Sequence, residues 1–513
     1  MAPPPAATAP AVHPVDEVLP PRELVTFGLQ HVLGMYAGAI AVPLIVGFAF
    51  DLSPNDIAFL IAADIFAAGL ATLLQTIGVK LGKIQFGARL PIMQGCTFAA
   101  VAPIVAVAGN QDRQLSEATS HELMTQVFGA IIIAGLLAVF LAPAISKARR
   151  FFPPLVVGTV ILIIGVSLLP VAAGWAENIG ADDQGAPKYL GLAAVVLALI
   201  LAIQRLGSEV MKRTSIMIGI VLGTLVAIPL GFTDFGSVSD SKVVGFPTPF
   251  HFGAPSFNLS IVITMVIVLI VSMVETTGDL IAVGEIVGKE ADEEVVAAGM
   301  RADGISSAIG GVFNTFPYTA YAENVGLVSL SGVKSRWVVA TAGGMMVFLG
   351  LFPVVGAVVA AIPVPVLGGA GFVMFGTVAA IGAKTLNRVD FDEGANLIIV
   401  ATALGIGLIP VGVPTIYDGF PEWFRTIAGS GISAGTITVV GLNYLFNEAG
   451  KGGKTAQALS ESPALVGADE VAHARAVLAR AEAQLLSEPV APPTGRFTRT
   501  GEPATADDAE PVS

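Results

Sequence analysis

Glu275 and Asp279 stand four residues apart in Met273-Val-Glu-Thr-Thr-Gly-Asp279, within a stretch otherwise almost free of charge. That spacing puts both carboxylates on one face of a helix. In apolar surroundings two such groups resist ionising together, and an acid that takes up and releases a proton is what proton coupling needs. The alternative is a buried pair satisfied by neighbouring hydroxyls. Glu323 and Asn324 form a second group, in the middle of Phe316-Pro-Tyr-Thr-Ala-Tyr-Ala-Glu-Asn-Val-Gly326. A carboxyl, an amide and freed backbone groups there make a hydrogen-bonding platform, tolerable at membrane depth only along a cavity. His31, beside Gln30, is the polar centre of an early apolar stretch, and packing and function are equally open for it. Asp303, after Arg301, reads either as a helix-start carboxylate or as the partner of an inside loop. Glu285, ahead of Lys289, reads as interfacial.

Other chemistries find little purchase. The single cysteine, Cys96, excludes an intrachain disulfide framework and reads as a small packing residue. His13, His121, His251 and His473 fall in tails or loops without metal-ligand spacing, so no metal and no resident cofactor are expected. Phosphate-binding loop, nucleophile-elbow and HExxH motifs are missing. The chain is therefore not expected to be an enzyme, nor to draw on ATP itself. No basic patch with interleaved aromatics points to nucleic acid.

The elements that must hold these groups are membrane helices. Hydrophobic residues make up 54% and charged residues 13% of 513, with a net charge of −13, against about a quarter charged in soluble domains. Segment after segment offers about 18–25 apolar residues, enough to cross about 30 Å of hydrocarbon, and too long and uniform for barrel strands. About fourteen such segments can be counted. They start near residues 24, 55, 91, 123, 154, 189, 214, 257, 296, 318, 337, 366, 393 and 431.

With the N-terminus in the cytoplasm, fifteen Lys and Arg residues, from Lys80 to Arg388, fall in inside loops. Only Arg113, Lys188, Lys242 and Arg425 fall outside. This bias favours an even number of spans with both ends inside. The third segment, Arg89 to Pro103, and the tenth, around Phe316 to Gly326, are both short, Pro/Gly-interrupted and polar in the middle. They lie seven segments apart, an odd number that turns the second half upside down. Matched broken segments in two inverted halves are a pointer to a transport site. The expected layout is a polar tail over 1–21, a transporter domain over 22–449 with repeats at about 22–232 and 257–446, and a tail over 450–513. A short helix at Ala468–Leu486 is expected in an otherwise disordered C-terminal tail. No cleavable signal peptide is expected ahead of the first segment.

Ala322-Glu-Asn-Val-Gly-Leu-Val-Ser-Leu-Ser-Gly332 resembles the signature of the nucleobase–ascorbate transporter family, with Ser331 where Thr is usual. Gln30-His31, Met273–Asp279, Arg301-Ala-Asp-Gly304 and Phe313-Asn-Thr-Phe-Pro-Tyr318 also look like that family, so the resemblance covers about 24–446. It implies an all-α polytopic fold of fourteen spans in two inverted repeats of seven. The spans would sort into core and gate domains, with short strands in segments three and ten. It implies a proton symporter (sodium being the alternative ion), often homodimeric, in the cytoplasmic membrane. Carried over residue by residue, Glu275 matches the main grip on the base and Glu323 the second, with the Ala322 backbone beside it. Phe98 matches the stacking aromatic, with Thr97 nearby. Asp279 and Asp303 match acids needed for transport, and His31 and Asn324 architectural positions. Glu323 resembles uracil carriers, while Gly332 and Val-Lys-Ser-Arg336 resemble the xanthine and urate branch, so an oxidised purine is expected first and uracil second. A same-fold channel or anion exchanger is the reading from another class.

Overall fold

The structure is a computed structural model that describes residues 12–109, 115–147, 152–178, 181, 183–233, 236–240, 242–392 and 394–449. The C-terminal helix expected at Ala468–Leu486 lies outside the described residues. In chain order the first helices are α1 (Pro21–Ala49), α2 (Pro54–Ile77), α3 (Val101–Ala108), α4 (Glu117–Lys147), α5 (Pro154–Ala176), α6 (Pro187–Leu206), α7 (Glu209–Arg213), α8 (Ser215–Ala227) and α9 (Gly236–Asp240). Then come α10 (Leu259–Val287), α11 (Glu293–Val312), α12 (Ala322–Ser331), α13 (Arg336–Leu349), α14 (Pro353–Ala360), α15 (Val364–Leu386), α16 (Asn396–Gly412), α17 (Glu422–Ala428) and α18 (Gly431–Asn443). Four strands of three residues accompany them: β1 (Val79–Leu81), β2 (Ile84–Phe86), β3 (Gln94–Cys96) and β4 (Tyr318–Ala320).

Each segment start read from the sequence falls within a few residues of a helix or a strand–helix pair. Seven of the described helices are long and apolar enough to cross a membrane: α1, α2, α4, α5, α6, α10 and α15. The pair α13 and α14, bent by 83°, makes an eighth if taken as one span. The rest are shorter or more polar, and the two broken segments are built as expected, a buried strand followed by a short helix.

Local chemistry sets the boundaries. Ser53 caps α2 by accepting from the Asp56 N–H at 3.2 Å, and Pro54 fills the first helical position. Asn258 caps α10 through the N–H groups of Ser260 and Ile261, and Gly288 ends it in the left-handed region at φ 77°. Asp292 caps α11 through Val295 N at 2.8 Å. Packing then relies on small residues, because lipid supplies no hydrophobic drive between helices. The α5–α15 contact is one such case. A Cβ on Gly165 would lie 2.2 Å from Ala379 N, and one on Gly382 2.3 Å from Leu162 N. The two backbones touch only because both positions lack side chains.

Two details differ from the sequence reading. Asp303 does not start a helix: α11 begins ten residues earlier, at Glu293, and Asp303 sits fully buried in its middle. Arg301 is likewise buried in α11, donating to Gln85 O at 3.1 Å and Glu294 at 2.9 Å. The residues before α1 are no loose tail from His13 onward. Val15 is fully buried against Leu280, Val283 and Val287. Arg336 Nε donates to Asp16 at 2.6 Å, and its Nη1 to Thr76 O at 2.8 Å. Ser335 Oγ donates to Glu17 O at 2.5 Å. One buried valine, one ion pair and a few hydrogen bonds, too sparse to make a periodic pattern, fasten this segment to the ends of α2, α10 and α13.

Burial works against the charge on Asp16, but the Arg336 guanidinium, aided by Lys289 and Arg89, outweighs it and holds the carboxyl below its ordinary 3.8. A depressed carboxylate contributes stability above 3.8 and loses it as pH falls through the lower folded value. Asp16 is 36% exposed, so screening keeps the contribution modest. Asp16→Asn is therefore expected to lower the thermal midpoint by a few degrees at neutral pH, the gap to the parent closing as pH drops below 3.8. A gap that stays constant with pH would contradict the ion-pair account.

Candidate functional site

The site is organised by the meeting of β3 and β4. They pair antiparallel with Gln94 opposite Ala320, Gly95 opposite Thr319 and Cys96 opposite Tyr318. All six residues are buried. A helix broken at membrane depth frees backbone groups that lipid cannot satisfy. Here each strand satisfies the other, and hydroxyls from flanking helices finish the task. Gln94 N donates to Thr72 Oγ1 on α2 at 3.0 Å, Ala320 N to Thr276 Oγ1 on α10 at 3.1 Å, and Tyr318 N to Ser307 Oγ on α11 at 2.9 Å.

The chain leaves both strands into the functional residues. Beyond β3, Thr97 Oγ1 accepts from Ala99 N at 3.1 Å and starts the 3-10 turn Phe98–Ala100, which packs on α10. Phe98 is half-buried and meets Phe375 of α15 edge-on, centroids 5.9 Å apart. Beyond β4, Tyr321 precedes α12 without giving it a side-chain cap, so Ala322 and Glu323 open the helix exposed. Tyr321 is itself fixed: its N–H donates to Met93 O at 3.1 Å and its hydroxyl to Cys96 O at 3.0 Å.

Four carboxylates converge here. Glu275 and Asp279 are half-buried one turn apart on α10, Glu323 is exposed at the start of α12, and Asp303 is fully buried on α11. Glu275 senses the charge of Glu323, and Asp279 that of Glu275, Glu323 and Asp303. Glu275 also lines a narrow, largely apolar crevice with Phe152 ahead of α5, Val156 and Val160 of α5, Val271 and Val274 of α10, and Thr436 of α18. The acid thus stands at a seam between helices. Asp303 has no hydrogen bond to either oxygen, and its polar neighbours are Thr276 and Gln94, whose own side-chain amide is unpartnered.

Asn324 turns the other way. Its Nδ2 donates to His31 O at 3.2 Å and to His31 Nδ1 at 3.0 Å. The carbonyl can only accept, so the amide nitrogen is the atom present, His31 Nδ1 is the acceptor, and the ring proton sits on Nε2. His31 and Asn324, both buried, lock α12 to α1 rather than face the acids. Glu285 is exposed in the last turn of α10, as an interfacial residue would be.

Sequence reading left Asp64, Tyr318, Gln94 and Thr276 without roles. The Tyr318 hydroxyl donates to Asp64 Oδ1 at 2.8 Å and exchanges a hydrogen bond with Thr315 at 2.9 Å. An aspartate in the second apolar segment was a visible signal; its partner, 254 residues away, was not.

A bundle of apolar helices with a buried strand crossing and acids around it defines a membrane transporter. The chain matches the model of the Permease family over residues 22–416 and belongs to that family. The nucleobase–ascorbate resemblance of Ala322–Gly332 thus holds. Among curated proteins it is 42% identical over 433 residues to the "Xanthine permease" of Bacillus subtilis, covering 84% of this chain and 95% of that one. It is 41% identical over 435 residues to the "Uric acid transporter UacT" of Escherichia coli, covering 84% and 88%. Among solved structures it resembles the transmembrane domain of a cyanobacterial bicarbonate transporter, BicA, with TM-score 0.52 at 16% identity, covering 81% of this chain and 99% of that one. It also resembles murine Slc26a9, an anion transporter, with TM-score 0.53 at 13% identity, covering 81% and 68%. The protein is thus a multi-pass membrane permease and no enzyme, and the solved structures share its fold.

The strand crossing tolerates no extra atoms at Gly95, where a Cβ would lie 2.5 Å from the Tyr321 ring. Gly95→Ala is expected to displace Tyr321, break its bond to Cys96 O and cut transport at least tenfold at unchanged membrane abundance. Normal uptake by Gly95→Ala, measured beside its surface expression, would contradict this account of the crossing.

Proposed function

We propose that the protein is a proton-coupled symporter that imports an oxidised purine, xanthine or uric acid, by alternating access. The observation that carries this reading is the pair of carboxylates, Glu275 on α10 and Glu323 at the open start of α12, near enough for the charge of Glu323 to act on Glu275. Ionised carboxylates only accept hydrogen bonds, and an oxidised purine presents several ring N–H donors. Glu275 and Glu323 grip the base, the Ala322 backbone assists at the open start of α12, and Phe98, placed by Thr97, stacks on the ring. Asp279, one turn from Glu275, and Asp303 pass the coupling proton. Protonation reduces the charge buried when the loaded site moves. His31 and Asn324 hold α12 in place.

The architecture in this reading is fourteen spans in two inverted sevens, a core domain carrying the site and a gate domain facing it. It forms a homodimer in the cytoplasmic membrane with both termini inside. The relatives named for xanthine and uric acid support the substrate class, and Gly332 supports the purine branch over uracil. The fold neighbours are anion carriers, but a cluster of acids offers acceptors for N–H donors rather than a cation for an inorganic anion.

Uptake of labelled xanthine into cells or proteoliposomes tests the proposal. Uptake is expected to persist without sodium, to collapse with a protonophore, and to be competed by uric acid more strongly than by uracil. Glu323→Gln, which replaces one acceptor with a donor, should reorder that competition series. Strict sodium dependence would overturn the proton, and preferential competition by uracil would overturn the purine.

A further inference from the structure

Three segments far apart in sequence bring two imidazoles and two carboxylates together away from the transport site. Asp56 stands in the first turn of α2, held there by Ser53, whose hydroxyl accepts from Asp56 N at 3.2 Å and donates to Oδ2 at 2.8 Å. His121 Nε2 lies 3.3 Å from Asp56 Oδ2, and His251 Nε2 lies 3.1 Å from Oδ1. Glu117 opens α4 four residues before His121, so the two share a helix face. Ligand atoms of Asp56, Glu117 and His121 all lie within 4.8 Å of one another.

The rings are fixed before any ion arrives. His251 stacks on Phe59 at 3.9 Å with planes 16° apart, and its backbone N–H donates to Asn314 Oδ1 at 2.6 Å. Phe252 stands edge-on to both imidazoles, 5.0 Å from each. The cluster is also reachable: the side chains of His121, His251 and Asp56 are 29%, 34% and 12% exposed. By the Lys and Arg bias that orients the chain, it faces outward.

We infer that Asp56, Glu117 and His121, with His251 drawn in from the other oxygen of Asp56, form a site for a divalent transition cation of the zinc class. Imidazole nitrogen together with carboxylate oxygen suits zinc, whereas magnesium and calcium prefer oxygen alone. Packing against the aromatic rings orients both imidazoles, and the Ser53 bond orients the carboxylate, as outer partners do around metal ligands. A bound ion ties together the start of α2, the start of α4 and the segment ahead of α10. Through Asn314 it also steadies the approach to β4. The competing arrangement is an aspartate hydrogen-bonded by two imidazole N–H groups, and it takes up no cation.

The experiment uses tag-free, full-length protein in detergent, stripped with a chelator. Titration with Zn²⁺ should give one ion per chain and raise the thermal midpoint, and Mg²⁺ at the same concentration should not. Co²⁺ in place of Zn²⁺ should give visible ligand-field absorption, a readout that needs no variant. His121→Ala and His251→Ala should each weaken Zn²⁺ binding about tenfold or more. His13→Ala, whose ring lies elsewhere at 3.3 Å from Gly288 O, should leave it unchanged. Parent protein that takes up no stoichiometric Zn²⁺, or Zn²⁺ binding unaltered in a folded His121→Ala/His251→Ala double variant, would overturn the site.

Discussion

A carboxylate at membrane depth must find protein donors, a substrate or a proton, because hydrocarbon offers it nothing. Five acids meet that demand around the crossing of β3 and β4. Asp64 takes the Tyr318 hydroxyl at 2.8 Å. Asp303 stands beside Thr276 and Gln94 without a hydrogen bond. Glu275 and Asp279 are half-buried, and Glu323 is exposed. The group with the least protein around it is the one best able to bind a solute, and the buried ones are best able to keep a proton. In the proposed reading Glu323 only grips, Asp303 only couples, and Glu275, half-buried between them, does both.

The crossing also makes a carrier of separate helices. Hydroxyls of Thr72, Thr276 and Ser307 tie α2, α10 and α11 to the strands by hydrogen bonds, and Tyr321 ties the strands to each other. Asn324 adds α1 through His31. Any displacement of this unit takes Phe98, Glu275 and Glu323 along at fixed spacing. Where it meets other helices the contact changes in kind. Phe98 meets Phe375 edge-on, and Glu275 looks into an apolar crevice shared with α5 and α18. Contacts of that kind, free of directional hydrogen bonds, can slide. The glycine seam of α5 and α15 is by contrast tightly packed, backbone against backbone.

Much of this was legible in the sequence because the constraints are local. Glu275 and Asp279 are adjacent by helical period. The broken segments announce themselves through Pro and Gly, and the segment starts follow hydropathy. What escaped was whatever depends on distance along the chain. Asp64 and Tyr318, or Asp56 and His251, are joined across 254 and 195 residues, and no periodicity links them. Asp303 was misplaced at a helix start because Arg301 looked like a loop residue. Its neighbours Gln85 and Glu294 satisfy the guanidinium inside the bundle. The ordered stretch from His13 was missed because one valine and one ion pair leave no pattern.

The central claim is that Glu275 both holds the base and takes part in coupling. Equilibrium binding and counterflow of labelled xanthine on purified, reconstituted Glu275→Gln measure both. A hydrogen bond to a buried charge is worth about 1.5–3 kcal/mol, so binding should weaken about tenfold or more. Net accumulation under a proton gradient should also stop while the variant still reaches the membrane. A Glu275→Gln protein that binds xanthine like the parent and still concentrates it would contradict the account.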